Sequence, residues 1–277
     1  MIFSIIIPTC NRNDMLGLCL ERLAPGRQSI SSDHYEVIVT DDGKTDDAEI
    51  FCMEHFPFVC YTKGPGKGPA ANRNNGARLA AGDWLVFTDD DCLPDADWLQ
   101  AYADAIKLFP ESKAFEGAIL PDNWELLKKD MAECPVNVKG ECFWSANIAV
   151  EKSLFWAIDA FDERFTFAAQ EDQDLYFRLN KITTIPFVAN AKVVHPVRVG
   201  SLRKIMKYAE RRILNWLIYA AKKTGKTKRN LLVKASGDLL KQSMYDAFHL
   251  KPKSAFSKIW KSWICLKLAI TNNGLFT

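Results

Sequence analysis

Short apolar runs alternate with stretches whose apolar positions repeat at helical spacing through most of the chain. Ser4–Ile7, Tyr35–Thr40, Phe58–Thr62, Trp84–Thr88 and Ala114–Leu120 read as strands. Between the first two, Met15, Leu16, Cys19, Leu20 and Leu23 form a helical stripe that Pro25 stops. Further helices are predicted around Asp46–His55, over Pro69–Ala81, which Gly82 ends, and over Trp98–Phe109. Asp122–Met131 is predicted helical and Phe143–Val150 strand-like with a polar centre. The segment Glu171–Leu179 reads as a helix opening on carboxylates, which the positive helix N-terminus favours. Val193-Val194-His195-Pro196 closes this part, and from Ser201 onward the pattern is helical and cationic. Strands alternating with helices predict a mostly parallel α/β sheet over residues 1–200, with a basic, mainly helical segment over residues 201–277.

The run Trp84-Leu85-Val86-Phe87-Thr88 is followed at once by Asp89-Asp90-Asp91. Strands buried on both faces have this continuous apolar character, and open α/β sheets bind ligands outside the carboxyl ends of their strands. Three adjacent carboxylates repel one another and call for a positive partner. A hard divalent cation suits them, because Mg²⁺ and Mn²⁺ take oxygen ligands and are often shared with substrate phosphates. Two other predicted strands also end in polar groups, at Pro8-Thr9 and at Asp41-Asp42. Each ending alone is ordinary turn chemistry; a parallel sheet would bring all three to one edge. The loop Gly64-Pro65-Gly66-Lys67-Gly68 has neither the order of a P-loop nor that of a dinucleotide fingerprint, and reads as a flexible turn.

Charge divides the chain in the same place as the pattern. Positions 198–277 hold 18 Lys and Arg against 3 acidic residues, whereas positions 1–197 hold 18 basic and 31 acidic residues. The two parts are expected to meet different partners. Eight cysteines, none in a C-x-x-C pair, fit neither a zinc site nor a compact disulfide framework and read as reduced cytosolic thiols. The start Met1-Ile2-Phe3 has no basic region and reads as a first strand rather than a signal peptide. No stretch approaches the apolar length of a membrane span.

Taken in order, Ser4-Ile5-Ile6-Ile7-Pro8-Thr9, Val39-Thr40-Asp41-Asp42-Gly43, Ala71-Asn72-Arg73-Asn74-Asn75-Gly76-Ala77 and Phe87-Thr88-Asp89-Asp90-Asp91 resemble the motifs of glycosyltransferase family 2. Ser145-Ala146-Asn147, Phe161-Asp162-Glu163 and Glu171-Asp172 continue the series. The resemblance covers about residues 3–195 and implies a glycosyltransferase A fold and inverting transfer from a nucleoside diphosphate sugar. It implies donor contacts at Pro8, Thr9, Asp41, Asp42, Arg73, Asp89 and Asp90, and Mn²⁺ or Mg²⁺ held by Asp91, Asp89 and His195. It further implies a base at Asp172 with Glu171 beside it, and an acceptor side near Trp144 and Asn147. Two departures stand out: Ser145 where the family often has glycine, and Asp159-Ala160 where it often has Gly-Gly.

Such chemistry uses a carboxylate to take the proton of a poorly nucleophilic hydroxyl. The acceptor would be a glycan or a polyprenyl-linked glycan, in bacterial polysaccharide, lipopolysaccharide or other glycoconjugate assembly. A nucleotidyltransferase, or a nucleotide-sugar-binding protein without activity, would share the donor groups but would not need Asp172. In the tail, Lys and Arg interleave with Trp216, Trp260 and Trp263, a composition that suits an anionic membrane surface or a solvated face of a packed helical unit. A peripheral place on the cytoplasmic face of the plasma membrane follows as an expectation. No nucleic-acid reader motif is present, and no nucleic-acid partner is expected.

Overall fold

The computed structural model describes residues 2–45, 47–249 and 251–271. The chain forms two compact units, Met1–Asp122 with Pro135–Pro196, and Asn123–Cys134 with Val197–Thr277. The second unit therefore takes up an internal segment, 123–134, besides the basic tail that the sequence sets apart.

In the first unit Phe3–Thr9 (β1), Tyr35–Asp41 (β2), Val59–Lys63 (β3) and Trp84–Thr88 (β4) are parallel neighbours in the order β3-β2-β1-β4. Asn13–Leu23 (α1), Asp47–His55 (α2) and Pro69–Leu79 (α3) link them. Asp46, the expected start of the second helix, lies outside the described residues. Every residue of β1 and β4 is buried, as a sheet covered on both faces requires. Ile5, Ile7, Val37, Val39 and Val86 belong to one core with Leu16, Cys19 and Leu20 of α1. On the other face α3 comes down at Gly76, where a Cβ would stand 2.8 Å from Ile6 and 3.1 Å from Thr40. Glycine inside a helix costs about 1 kcal/mol relative to alanine; the close approach requires it here.

The chain continues through Leu93–Pro94 (β5), Trp98–Leu108 (α4), Ala114–Pro121 (β6), Trp124–Leu127 (α5), Ala132–Glu133 (β7), Asn147–Glu151 (β8), Lys152–Ala157 (α6), Glu171–Leu179 (α7) and Phe187–His195 (β9). The full sheet has the order β3-β2-β1-β4-β8-β6-β9-β5. Strand β8 is antiparallel to β4 and β6, and β5 to β9, whereas β6 and β9 are parallel. The sheet is thus mostly parallel on its first side and mixed on the other.

Two predicted elements are shorter than their pattern suggests. Within Asp122–Met131 only α5 is α-helical; the Asn123 side chain caps it, and Met131 turns to φ 69 before the β7 pairing. Within Phe143–Val150 the strand starts at Asn147, because Phe143 lies at φ 44 in a loop folded around the buried carboxylate of Glu116.

In the second unit Arg198–Val199 (β10) pairs antiparallel with β7. Leu202–Thr224 (α8), Lys228–Phe248 (α9) and Pro252–Thr271 (α10) follow. Ser201 and Thr227 cap α8 and α9, and Gly225, at φ 64, ends α8. Ile213, Leu217, Leu232, Ile264 and Leu268 are part of a separate core.

Candidate active site

The parallel register sets Thr9 beside Asp41 and Pro8 beside Thr40, so these strand ends share one edge. Thr9 donates its hydroxyl to Asp90 at 2.7 Å, which fastens β1 to the acidic turn after β4. Asn72, buried on α3, donates to the carbonyl of Thr40 at 2.9 Å and accepts from its hydroxyl at 2.7 Å. Asp41 is buried; it accepts from the Gly43 N–H at 2.7 Å and from the Tyr61 hydroxyl at 3.3 Å, with Lys63 at 3.8 Å. A cleft of about 270 Å³ opens beside it, lined also by Asn11, Arg12, Asn13 and Thr45. Asp42 accepts from the N–H groups of Gly66 and Gly68 at 2.8 and 3.0 Å. The glycine-rich loop is therefore pinned by this carboxylate rather than free.

Arg73 joins two parts of the site. Its guanidinium donates to Asp89 at 2.7 Å and to Glu171 at 3.2 Å, and lies 5.7 Å from the ring centroid of Phe161. Its Nε is buried and finds no acceptor among the described residues. Burial pushes Asp89 upward, but Arg73, helped by the charges of His195 and Arg12, outweighs it and holds the pKa below its ordinary value. Glu171 moves the other way: burial raises its pKa, and Arg73 only partly opposes this. Of the two carboxylates that share Arg73, Asp89 thus forms the firmer ion pair. Asp90 pairs with Arg12, which also lies 3.5 Å from Asp91.

The carboxylate of Asp91 is also 3.5 Å from Nε2 of His195. Nδ1 of that ring is 2.9 Å from the carbonyl of Pro196, which can only accept. Nδ1 therefore carries the proton in the neutral ring, and the lone pair of Nε2 faces Asp91, an arrangement typical of oriented metal-binding histidines. Asp91, Cys92 and His195 are buried and offer ligand atoms within 4.8 Å of one another. Burial holds the Cys92 thiol well above its ordinary pKa, so it stays protonated and is a poor ligand. Asp91 and His195 fit a divalent cation; Asp89, expected as a third ligand, is instead engaged by Arg73.

Asp172 lies in the first turn of α7. It accepts from the N–H groups of Gln173 at 2.7 Å and Ser145 at 3.5 Å. Burial, then the neighbouring Glu171, pushes its pKa up to about 8. Glu171 accepts from the Ala169 N–H at 2.8 Å. A carboxyl group raised in this way is a stronger base when ionised.

The expected acceptor residues fare differently. Trp144 is half-buried against the core. Asn147 is buried and has no capacity left for a substrate. It accepts from Trp98 and Tyr102 at 2.8 and 2.7 Å and donates to the carbonyls of Ala118 and Ala191, both at 2.8 Å. It knots β8 to its neighbours, which corrects its assignment as an acceptor contact.

Arg12 was not singled out from the sequence, although it stands three residues beyond Thr9 at a strand end facing three carboxylates. Asn74 was also missed. It donates to the Phe161 carbonyl at 2.8 Å and accepts from the Phe161 N–H at 3.1 Å, holding that ring under Arg73.

This sheet, with its site at the strand carboxyl ends, is a glycosyltransferase A fold. Residues 4–112 match the profile of Glycosyl transferase family 2. A validoxylamine A glucosyltransferase of Streptomyces hygroscopicus subsp. limoneus is 27% identical over 222 residues, 65% of this chain and 48% of that protein. The chain spans about half the length of that protein and of a second validoxylamine A glucosyltransferase, 48% and 51%. The mannosyltransferase PcManGT from Pyrobaculum calidifontis, solved with GDP-Man and Mn²⁺, superposes with a TM-score of 0.63 at 17% identity, over 98% of this chain and 87% of that one. S. aureus TarS 1–349 with UDP-GlcNAc gives 0.60 at 16%, over 95% and 91%. Among the described residues, no helix is long and apolar enough to cross a membrane.

Proposed function

We propose that the first unit transfers a glycosyl group from a nucleoside diphosphate sugar to a hydroxyl acceptor with inversion, in the assembly of a polysaccharide, lipopolysaccharide or other glycoconjugate. The observation that carries this reading is the tie that Arg73 makes between the acidic turn at Asp89 and the buried pair Glu171-Asp172. A donor site alone would not need a basic carboxyl group beside it. Thr9, Asp41 and the cleft next to them would take the nucleoside. Arg73, Arg12 and the acidic turn would face the diphosphate, with Arg12 exposed enough (39%) to exchange its carboxylates for phosphate oxygens. Asp91 and His195 would hold Mn²⁺ or Mg²⁺; when bound, the cation would offset the charge that grows on the leaving diphosphate. Asp172 would accept the acceptor hydroxyl's proton at its carboxylate as that oxygen attacks the anomeric carbon from the side opposite the leaving group. Single displacement inverts that carbon without a covalent intermediate.

The test is a panel of nucleotide sugars and hydroxyl acceptors, with and without Mn²⁺. Release of nucleoside diphosphate with formation of a glycoside is expected. Release of pyrophosphate would favour nucleotidyl transfer, and binding without turnover a non-catalytic protein.

A second reading concerns the second unit, where Phe256, Ile259, Trp263, Leu266 and Ile270 of α10 recur at spacings of three and four and are all exposed. With the basic excess of this unit, the stripe suits an anionic lipid surface, which attracts nearby Lys and Arg by about 1 kcal/mol each. Co-sedimentation with anionic vesicles should fall steeply with ionic strength; no binding at low salt removes the idea.

A further inference from the structure

Glu116 lies on β6, is buried, and belongs to none of the motifs above. One of its oxygens accepts from the Asn137 side chain at 3.0 Å and from the N–H groups of Cys142 and Phe143 at 3.1 and 2.7 Å. The other accepts from the Glu141 N–H at 2.5 Å. Three successive backbone donors thus turn inward onto one carboxylate. The turn forces Gly140, Glu141 and Phe143 to φ 88, 67 and 44. Positive φ is a genuine outlier for a bulky residue such as Phe143, and such backbone persists only where its surroundings over-determine it. Here Glu116 supplies the acceptors, and Phe143 is buried against Tyr176 of α7, ring centroids 5.5 Å apart.

The far end of the same loop meets the start of α7. The Cys142 carbonyl accepts from the Gln173 side chain at 2.6 Å, and the Ser145 N–H donates to Asp172 at 3.5 Å. We propose that Glu116 is a positioning residue: it sets the loop from Asn137 to Ser145 so that the Ser145 N–H meets Asp172 and orients that carboxylate toward the acceptor. The inference rests on the reading of Asp172 as the base. A residue that merely fills the core could be apolar. Without the carboxylate, four donors would lose an acceptor, those of Asn137 and Phe143 in buried positions, and the strained turn would lose the group on which its N–H donors converge.

The consequence for Asp172 has a definite sign. The Ser145 N–H stabilises the charged carboxylate, so loosening the loop should raise the pH at which the base ionises. Glu171 and Arg73, the charged groups that act on Asp172, lie outside the loop and are left unchanged. A purely structural role would lower stability and leave that pH midpoint alone.

The experiment compares wild type with Glu116→Gln and Glu116→Asp. The first keeps the shape and loses the charge; the second keeps the charge and retracts it, so at least one folded variant is expected. Hydrogen exchange should show the Glu141–Phe143 and Ser145 amides losing protection in both. Turnover in the donor panel should fall about tenfold or more, but by less than the 10²–10⁴-fold that base assistance as a whole supplies. Its pH limb should move upward, while calorimetric affinity for UDP and GDP with Mn²⁺ stays within about twofold. Unchanged Ser145 protection overturns the proposal, as does a loss of turnover with an unmoved pH limb. If wild type transfers no sugar, it is the glycosyl-transfer reading that fails, and the exchange arm still decides whether Glu116 holds the loop against Asp172.

Discussion

On the side of Thr9, Asp41 and Arg73 the first unit is built from buried parallel strands and the helix that crosses them. On the side of Ser145 and Asp172 it is built from turns held by buried polar groups. Among non-glycine residues of the described first unit, Asn11 is the one positive-φ position before Glu141, and asparagine tolerates that backbone. Glu141, Phe143, Asp159, Ala160 and Gln170 then follow within thirty residues of chain. Glu116 holds the first two of these positions. Arg178, paired with Asp174 at 2.9 Å, donates to the carbonyls of Ile158 and Ala160 and thereby fixes the Asp159-Ala160 turn. The contrast shows two ways to hold a functional group. Strand register places Thr9 and Asp41, while satisfied buried charges place the turns around Ser145 and Asp172.

The strongest test of that contrast is its junction, Arg73. Removing it leaves Glu171 buried without its cation, and breaking a buried ion pair typically costs about 3–5 kcal/mol. Arg73→Ala should lower the denaturant midpoint accordingly and abolish donor binding. A loss below about 1 kcal/mol would mean that the two sides are held independently of this residue.

The turn before Phe161 gives a smaller effect of opposite sign. Asp159 is exposed at φ 65, just past the short helix α6, where glycine is the usual residue. Asp159→Gly relieves a left-handed backbone, which costs L-residues about 1–2 kcal/mol, but restores unfolded-chain freedom; a net gain below about 1 kcal/mol is expected, seen as a slightly higher Tm with turnover unchanged. Destabilisation would show that the aspartate side chain contributes something beyond its backbone.

The same division governs what could be read from the amino-acid sequence. The strands Ser4–Ile7, Tyr35–Thr40 and Trp84–Thr88, and the shared edge of Thr9, Asp41 and Asp89, follow from local pattern plus parallel pairing, and the structure has them there. The start of β8 does not. Phe143-Trp144-Ser145-Ala146 has strand composition, but Glu116, more than twenty residues away, captures the N–H of Phe143 and those of the two residues before it. Asn147 stands in a motif that the family resemblance places on the acceptor side, yet it is a structural knot. Its four partners come from β6, β9 and α4, and no local spacing reveals them. Arg12 escaped notice because its value lies in the carboxylates it faces, which only the β1–β4 pairing brings near. Residues 4–112, where the family profile matches, largely coincide with the legible half.

Most direct is a comparison of Asp172→Asn with wild type across pH. With its pKa raised to about 8, wild-type Asp172 is largely protonated near neutrality. Turnover should therefore rise with pH through that value as the base ionises. Its effect on stability runs the other way: the folded protein keeps a proton that the unfolded chain loses above about pH 4, so stability declines as pH rises from there through about 8. Asp172→Asn removes both trends. It should cut kcat by about 10²–10⁴-fold, leave affinity for the donor nucleotide unchanged, and gain stability relative to wild type as the solution becomes alkaline. Turnover by Asp172→Asn at the wild-type rate, with the wild-type pH limb, would contradict the assignment of the base and with it the inverting mechanism.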